Sequence, residues 1–90
     1  MGKSKIIAYD LRTPGRNYNN LYELIKSYMV YARISESVWF ISSDATCVSI
    51  RDNLSKSIDA NDSLFVAELG GAAAWQGISN EVADYLRLHL

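Results

Sequence analysis

The chain has 90 residues, 49% of them apolar, with nine basic and ten acidic side chains for a net charge of −1. That length suits one small domain with a modest core, and that apolar share excludes disorder as the ground state. The near-zero charge speaks against strong non-specific nucleic-acid binding. A lone cysteine, Cys47, rules out an internal disulfide, and a lone histidine, His89, argues against a Ser-His-Asp triad or a Cys/His zinc site within one chain. No stretch approaches the ~18–20 apolar residues that span a bilayer, and there is no signal-like apolar start. The expectation is a cytoplasmic protein without membrane association.

The run Lys5-Ile6-Ile7-Ala8-Tyr9-Asp10-Leu11 reads as a central strand, apolar at successive positions because both of its faces are covered. Its one carboxylate, Asp10, stands at the exit. Thr13 to Asn20 carries Pro, Gly and three Asn, which is turn chemistry. Tyr18, Leu21, Tyr22, Ile25, Tyr28 and Met29 then recur at helical spacing, with Asn17 placed to cap them. Tyr31 to Ser42 is strand-like. Its length favours two strands with a tight turn at Ser35-Glu36-Ser37. A second helix starts at Ser43-Asp44 and repeats Cys47, Ile50, Leu54 and Ile58 on one face, which makes Cys47 core and Asp44 a cap. Asp59 to Asp62 is a polar turn with solvated carboxylates. Ser63 to Leu69 is a last strand, Gly70-Gly71 breaks it, and Ser79 caps a final helix presenting Val82, Ala83, Leu86 and Leu90.

The order β-α-β-β-α-β followed by a helix predicts a single α+β domain over residues 1–90. It is a ferredoxin-like sandwich with a C-terminal extension over 70–90. Two helices in such a sandwich cover one sheet face. Yet Ile6 and Ile7, Trp39 and Phe40, and Phe65 and Val66 place apolar groups on both. The second face must therefore be covered, either by the segment from Trp75 to Leu90 or by a second copy of the chain, and a homodimer is expected. Tyr9, Trp39, Phe65 and Trp75 are the aromatic residues assigned to such an interface. Tyr9, Trp39 and Phe65 would otherwise serve as core, or as a stacking platform for bases. The glycines from Gly70 to Gly77 match no phosphate-loop spacing and read as a crossover.

Tyr9-Asp10-Leu11 closing the first strand, Arg33 with Ser37-Val38-Trp39 in the middle strands, and Asp62-Ser63-Leu64-Phe65-Val66 resemble the small CRISPR-associated endoribonuclease and spacer-acquisition family. Gly70-Gly71 and the tail Trp75-Gln76-Gly77-Ile78-Ser79 are similar to its SinR-like branch. The resemblance covers nearly the whole chain. It implies a ferredoxin-like homodimer that acts either as a metal-dependent nuclease or as a non-catalytic scaffold for nucleic acid or a larger protein. In the nuclease reading, Asp10 from each subunit holds Mg2+, and Arg12, Arg16 and Arg33 hold phosphate. The other reading of Asp10 is that it accepts backbone N–H bonds from the turn Arg12–Gly15. The chain departs from that family in its near-neutral charge and in a helical C-terminus, where the family has a swapped strand; the near-zero charge and the missing catalytic constellation favour the non-catalytic reading.

Overall fold

The computed structural model describes residues 3–13 and 17–90, so Arg16 and the Pro14-Gly15 turn lie outside it. The elements are β1 (Lys3–Asp10), α1 (Asn19–Lys26), β2 (Val30–Ser35), β3 (Val38–Ser43), α2 (Cys47–Ser55), β4 (Ser63–Glu68) and α3 (Asn80–His89). They form one four-stranded sheet in the order β2-β3-β1-β4, with every neighbouring pair antiparallel. β1 is interior, as its apolar run requires. Because β3 is antiparallel to both β1 and β2, those two strands run parallel with β3 inserted between them. Ile7 sits opposite Trp39 on one side and Val66 on the other.

Side chains alternate across each strand, so the sheet has two chemically distinct faces. On one, Ile7 and Tyr9 of β1 and Trp39 and Ile41 of β3 meet Leu21 and Ile25 of α1 and Ile50 and Leu54 of α2. Most of these are fully buried, each contributing about 1.5–3 kcal/mol for a Leu, Ile or Phe-sized side chain. On the other face, Ala32 and Phe40 pack beneath Leu86 of α3, with Leu69, Trp75, Ile78 and Val82 around them. The C-terminal segment thus covers the β2–β3 half of the second face. Phe65, on the β4 half, stays 63% exposed.

Four helix boundaries differ from those the sequence predicts, one of them the end of α2, which stops at Ser55, short of Ile58. α1 stops at Lys26 rather than running to Met29. Ser27 Oγ donates to the Leu24 carbonyl at 2.6 Å, a local bond that competes with helix continuation, and Val30 and Tyr31 then enter a strand. Asn17 does not occupy the cap position, although its side chain accepts from the first helical N–H, that of Asn19, at 2.9 Å. α2 is capped by Thr46, whose Oγ1 accepts from Ser49 N–H at 3.1 Å, and not by Asp44. Ser43 instead accepts from Ala45 N–H at 3.1 Å, holding the approach to the helix. Cys47 is the first residue of α2 and half-buried rather than core. The cap at Ser79 is as expected, with Oγ accepting from Val82 N–H at 3.2 Å. Gly71 and Gly77 flank the tail's loop with φ of 95° and 78°, where a side chain would be strained. No helix of the described residues is long and apolar enough to cross a membrane.

Candidate functional site at the exit of the first strand

β1 delivers Tyr9 and Asp10 side by side but to opposite faces, and that alternation separates their roles. Tyr9 turns into the helix-covered core. Its phenol accepts from Trp39 Nε1–H at 2.9 Å and donates to the Glu36 carbonyl at 3.1 Å, which ties the β2–β3 turn to β1. The Tyr9 N–H adds a bond to the Ser37 carbonyl at 3.1 Å. Burial pushes the Tyr9 pKa up, against the opposing pull of the Trp39 hydrogen bond and the Arg33 charge. Tyr22 and Trp39 stack with ring centroids 6.3 Å apart, and the Arg33 guanidinium lies 4.7 Å from the Tyr22 centroid and 5.1 Å from that of Trp39. Arg33 Nη2 donates to the Glu36 carbonyl at 2.7 Å, and among the described residues no carboxylate pairs with this guanidinium. Tyr9, Asp10, Leu11, Tyr22, Glu36 and Ser37 line an open depression of about 430 Å3 beside it.

Asp10 is largely exposed, and its Oδ2 accepts from Arg12 Nε–H at 2.9 Å. Its described partner is therefore a guanidinium two residues on and not the backbone of the following turn. The Arg12 backbone N–H goes to Asp62 Oδ1 at 2.8 Å, and Arg12 Nη1 to the Asn61 carbonyl at 3.4 Å. Arg12 is thus drawn toward the α2–β4 turn as well as toward Asp10.

A divalent cation takes several oxygen donors. Among the described residues no group of three or more His, Cys, Asp or Glu side chains converges. Asp10 offers one free carboxylate oxygen. Mg2+ retains several waters and is held by one or two carboxylates, so Asp10 would serve it together with a carboxylate or a phosphate brought by another molecule.

Tyr9 and Trp39, assigned to an interface or a stacking platform, are 8% and 2% exposed and belong to the core under α1 and α2. They are corrected on that ground: both take odd positions of the register, on the face the helices cover. Phe65 faces the opposite way and is exposed. Trp75 is half-buried, packing onto the β2–β3 half with the Arg87 guanidinium 5.5 Å from its ring centroid.

Two residues matter more than their sequence context suggests. Asp62 is no solvated turn carboxylate. It accepts from Arg12 N–H, from the Tyr18 hydroxyl at 3.0 and 3.1 Å, and from Asp59 N–H at 2.8 Å, so it fastens the β1 exit, the approach to α1 and the entry to β4. An Asp three residues after another in a polar turn was the only local signal. Lys5 is 1% exposed, its Nζ donating to the Ser43 carbonyl at 2.7 Å with Glu68 Oε1 at 3.7 Å. A lysine opening an apolar strand signals nothing of the kind by itself.

No family model matches the chain, and no curated protein matches it. Among solved structures it is similar to a hypothetical protein, TT1823, from Thermus thermophilus, with a TM-score of 0.69 and 24% identity over 87% of this chain and 94% of that one. At that identity the likeness establishes a shared small α+β fold, and the fold alone.

Proposed function

We propose that this chain is a ferredoxin-like interaction module related to the CRISPR-associated and SinR-like small proteins. It works as a homodimer that binds nucleic acid or a larger protein partner without catalysis. The ferredoxin-like reading is supported by β1 and β2 running parallel with β3 between them, and by α1 and α2 packing on one face. The observation that carries the dimer is Phe65, a large apolar side chain 63% exposed on an edge strand, on the part of the second face that α3 leaves bare. The non-catalytic reading is supported by a single carboxylate, Asp10, already engaged by Arg12.

Light scattering across a concentration series, together with anisotropy titrations on labelled single- and double-stranded RNA and DNA, tests this reading. The expected result is a dimer mass, with labelled strands left uncut in Mg2+ or Mn2+ across pH. Cleavage that disappears in Asp10→Asn, with the dimer intact, would overturn it.

That outcome would establish a second reading, a metal-dependent endonuclease. It is favoured by one observation: Asp10 lies exposed at the mouth of the depression beside Tyr9 and Glu36. A bound divalent cation would supply Lewis-acid stabilisation of phosphate charge. Asp10 of each subunit would hold the ion, and Arg33, already oriented by Tyr22 and Trp39, would hold the phosphate.

A further inference from the structure

The tail crosses the second face without filling the space beneath it. Between the sheet and the segment that follows β4 lies a cavity of about 260 Å3, lined by apolar residues throughout. Ile6, Val38 and Phe40 form its floor, on the tail side of β1 and β3. Ile34 joins them from β2. With Arg33 opposite Trp39 and Ser35 opposite Val38, Ile34 is the extra residue of a bulge and has no β3 partner. Leu86 of α3 and Trp75 supply walls. Protein interiors hold few voids larger than a water molecule, so a space of this size in a 90-residue chain stands out from ordinary packing.

The lining selects the occupant. A buried water needs roughly two to four polar partners. Apart from the indole N–H of Trp75, no side-chain polar group belongs to the lining. Among the described residues the buried side-chain polar atom left without a partner is Thr13 Oγ1, which is not part of it. A charged ligand would lie there without a counter-ion. A cavity of about 150 Å3 lined by Leu, Ile and Phe stays dry and takes benzene, so this larger one has room for one or two fused rings. Phe40 and Trp75 offer aromatic contacts. Trp75 is braced in turn by Arg87, which is paired with Asp84 at 2.9 Å and lies 5.5 Å from the indole centroid.

The roof is attached at its ends. Gly71 and Gly77, with positive φ, bound the stretch that carries Ala73, Ala74 and Trp75, and nothing stands within 4 Å of where a Cβ would be at either glycine. On one side Leu69 N–H donates to the Ser4 carbonyl at 2.9 Å, and on the other Ser79 caps α3. Among the described residues no backbone hydrogen bond ties residues 70–78 to the sheet or to α3. Lifting this stretch leaves the pairing of β4 with β1 intact.

We propose that the cavity is a binding site for a neutral aromatic molecule of one or two fused rings, admitted by displacement of residues 70–78 and held between the sheet and Trp75. The site is independent of the dimer reading, since neither Phe65 nor Asp10 belongs to its lining.

Indole is the probe, titrated into the full chain and followed by NMR. The Trp75 Nε1–H and the Ile6, Val38 and Leu86 methyls are expected to shift saturably, with one dissociation constant below about 1 mM. Trp39 Nε1–H and the Ile50 and Leu54 methyls, on the helix-covered face, should stay in place. Indole-3-carboxylate, the same rings with a charge, should bind at least about tenfold more weakly. Val38→Phe fills the cavity from its floor and should weaken indole binding at least about tenfold. Leu90→Trp fills it from the end of α3 without touching the sheet and should do the same, which keeps the test valid if the first substitution disturbs folding. Shifts that rise linearly with indole, or that reach Trp39 and Ile50 equally, would overturn the site. So would binding that both substitutions leave undiminished. Tighter binding of the carboxylate than of indole would overturn the neutral class of ligand.

Discussion

The two faces of the sheet are built from the same kinds of residue and end in different states. Under α1 and α2, Ile7, Tyr9, Trp39 and Ile41 interlock with Leu21, Ile25, Ile50 and Leu54. The polar atoms there are paired with each other, Trp39 to Tyr9 and Tyr9 to the Glu36 carbonyl. Under the tail, burial is complete only around Phe40 and Leu86. Ile6, Phe40, Trp75, Ile78 and Leu86 border an apolar cavity of about 260 Å3, and Phe65 remains in solvent. The difference teaches where stability and association divide. Two amphipathic helices reached by short crossovers close one face. A single helix at the end of a glycine-flanked loop closes half of the other, and the open half keeps Phe65 in solvent.

The largest expected effect tests the closed face. Trp39→Ala removes a buried aromatic, its stacking on Tyr22 and its bond to Tyr9, and should cost about 3–5 kcal/mol in a urea melt. Leu86→Ala, the corresponding truncation under the tail, should cost about 2 kcal/mol, because half-exposed neighbours and an existing cavity leave less to lose. Equal costs for the two would show that the tail face is packed as tightly as the helix face.

Tyr9→Phe should be smaller, about 1–2 kcal/mol, by leaving the Trp39 N–H without its acceptor. It carries a pH signature as well. Burial raises the phenol's pKa in the folded state, so its contribution is complete below the ordinary tyrosine value of about 10 and falls as pH rises through the folded value. Urea midpoints measured from pH 9 to 11 should fall more steeply for the natural chain than for Tyr9→Phe. The smallest effect on folding should come from the open half. Phe65→Ser should change monomer stability by within about 0.5 kcal/mol while weakening self-association, read by sedimentation velocity. A stability loss as large as that of Leu86→Ala would mean that Phe65 is part of the core.

Asp10 and Asp62 show how unevenly site residues could be read in advance. Asp10 stood out because it is the carboxylate that closes the first apolar strand, and it does stand exposed at that strand's exit. Its partnership with Arg12 was not expected, since the sequence reading gives Asp10 a metal ion or the backbone of the following turn and gives Arg12 a phosphate. Asp62 escaped notice because its partners, Arg12 and Tyr18, are more than forty positions away along the chain and meet it only when β4 pairs with β1. The aromatic residues divided in the same way. Tyr9, Trp39 and Phe65 look equivalent as strand aromatics, and only the pairing of Ala8 with Phe65 and of Ile7 with Trp39 shows that they face opposite sides.

Sequence alone determined the element types and their order, since apolar spacing and turn chemistry are local properties: the split of residues 31–42 into two strands, the Ser79 cap and the interior rank of β1 could all be read along the chain. Tertiary structure alone decided which strands became edges, which half of the second face α3 reached, and where Asp62 and Lys5 found their partners. Those outcomes depend on register and on contacts between distant segments, and a residue's neighbours in sequence carry no record of them.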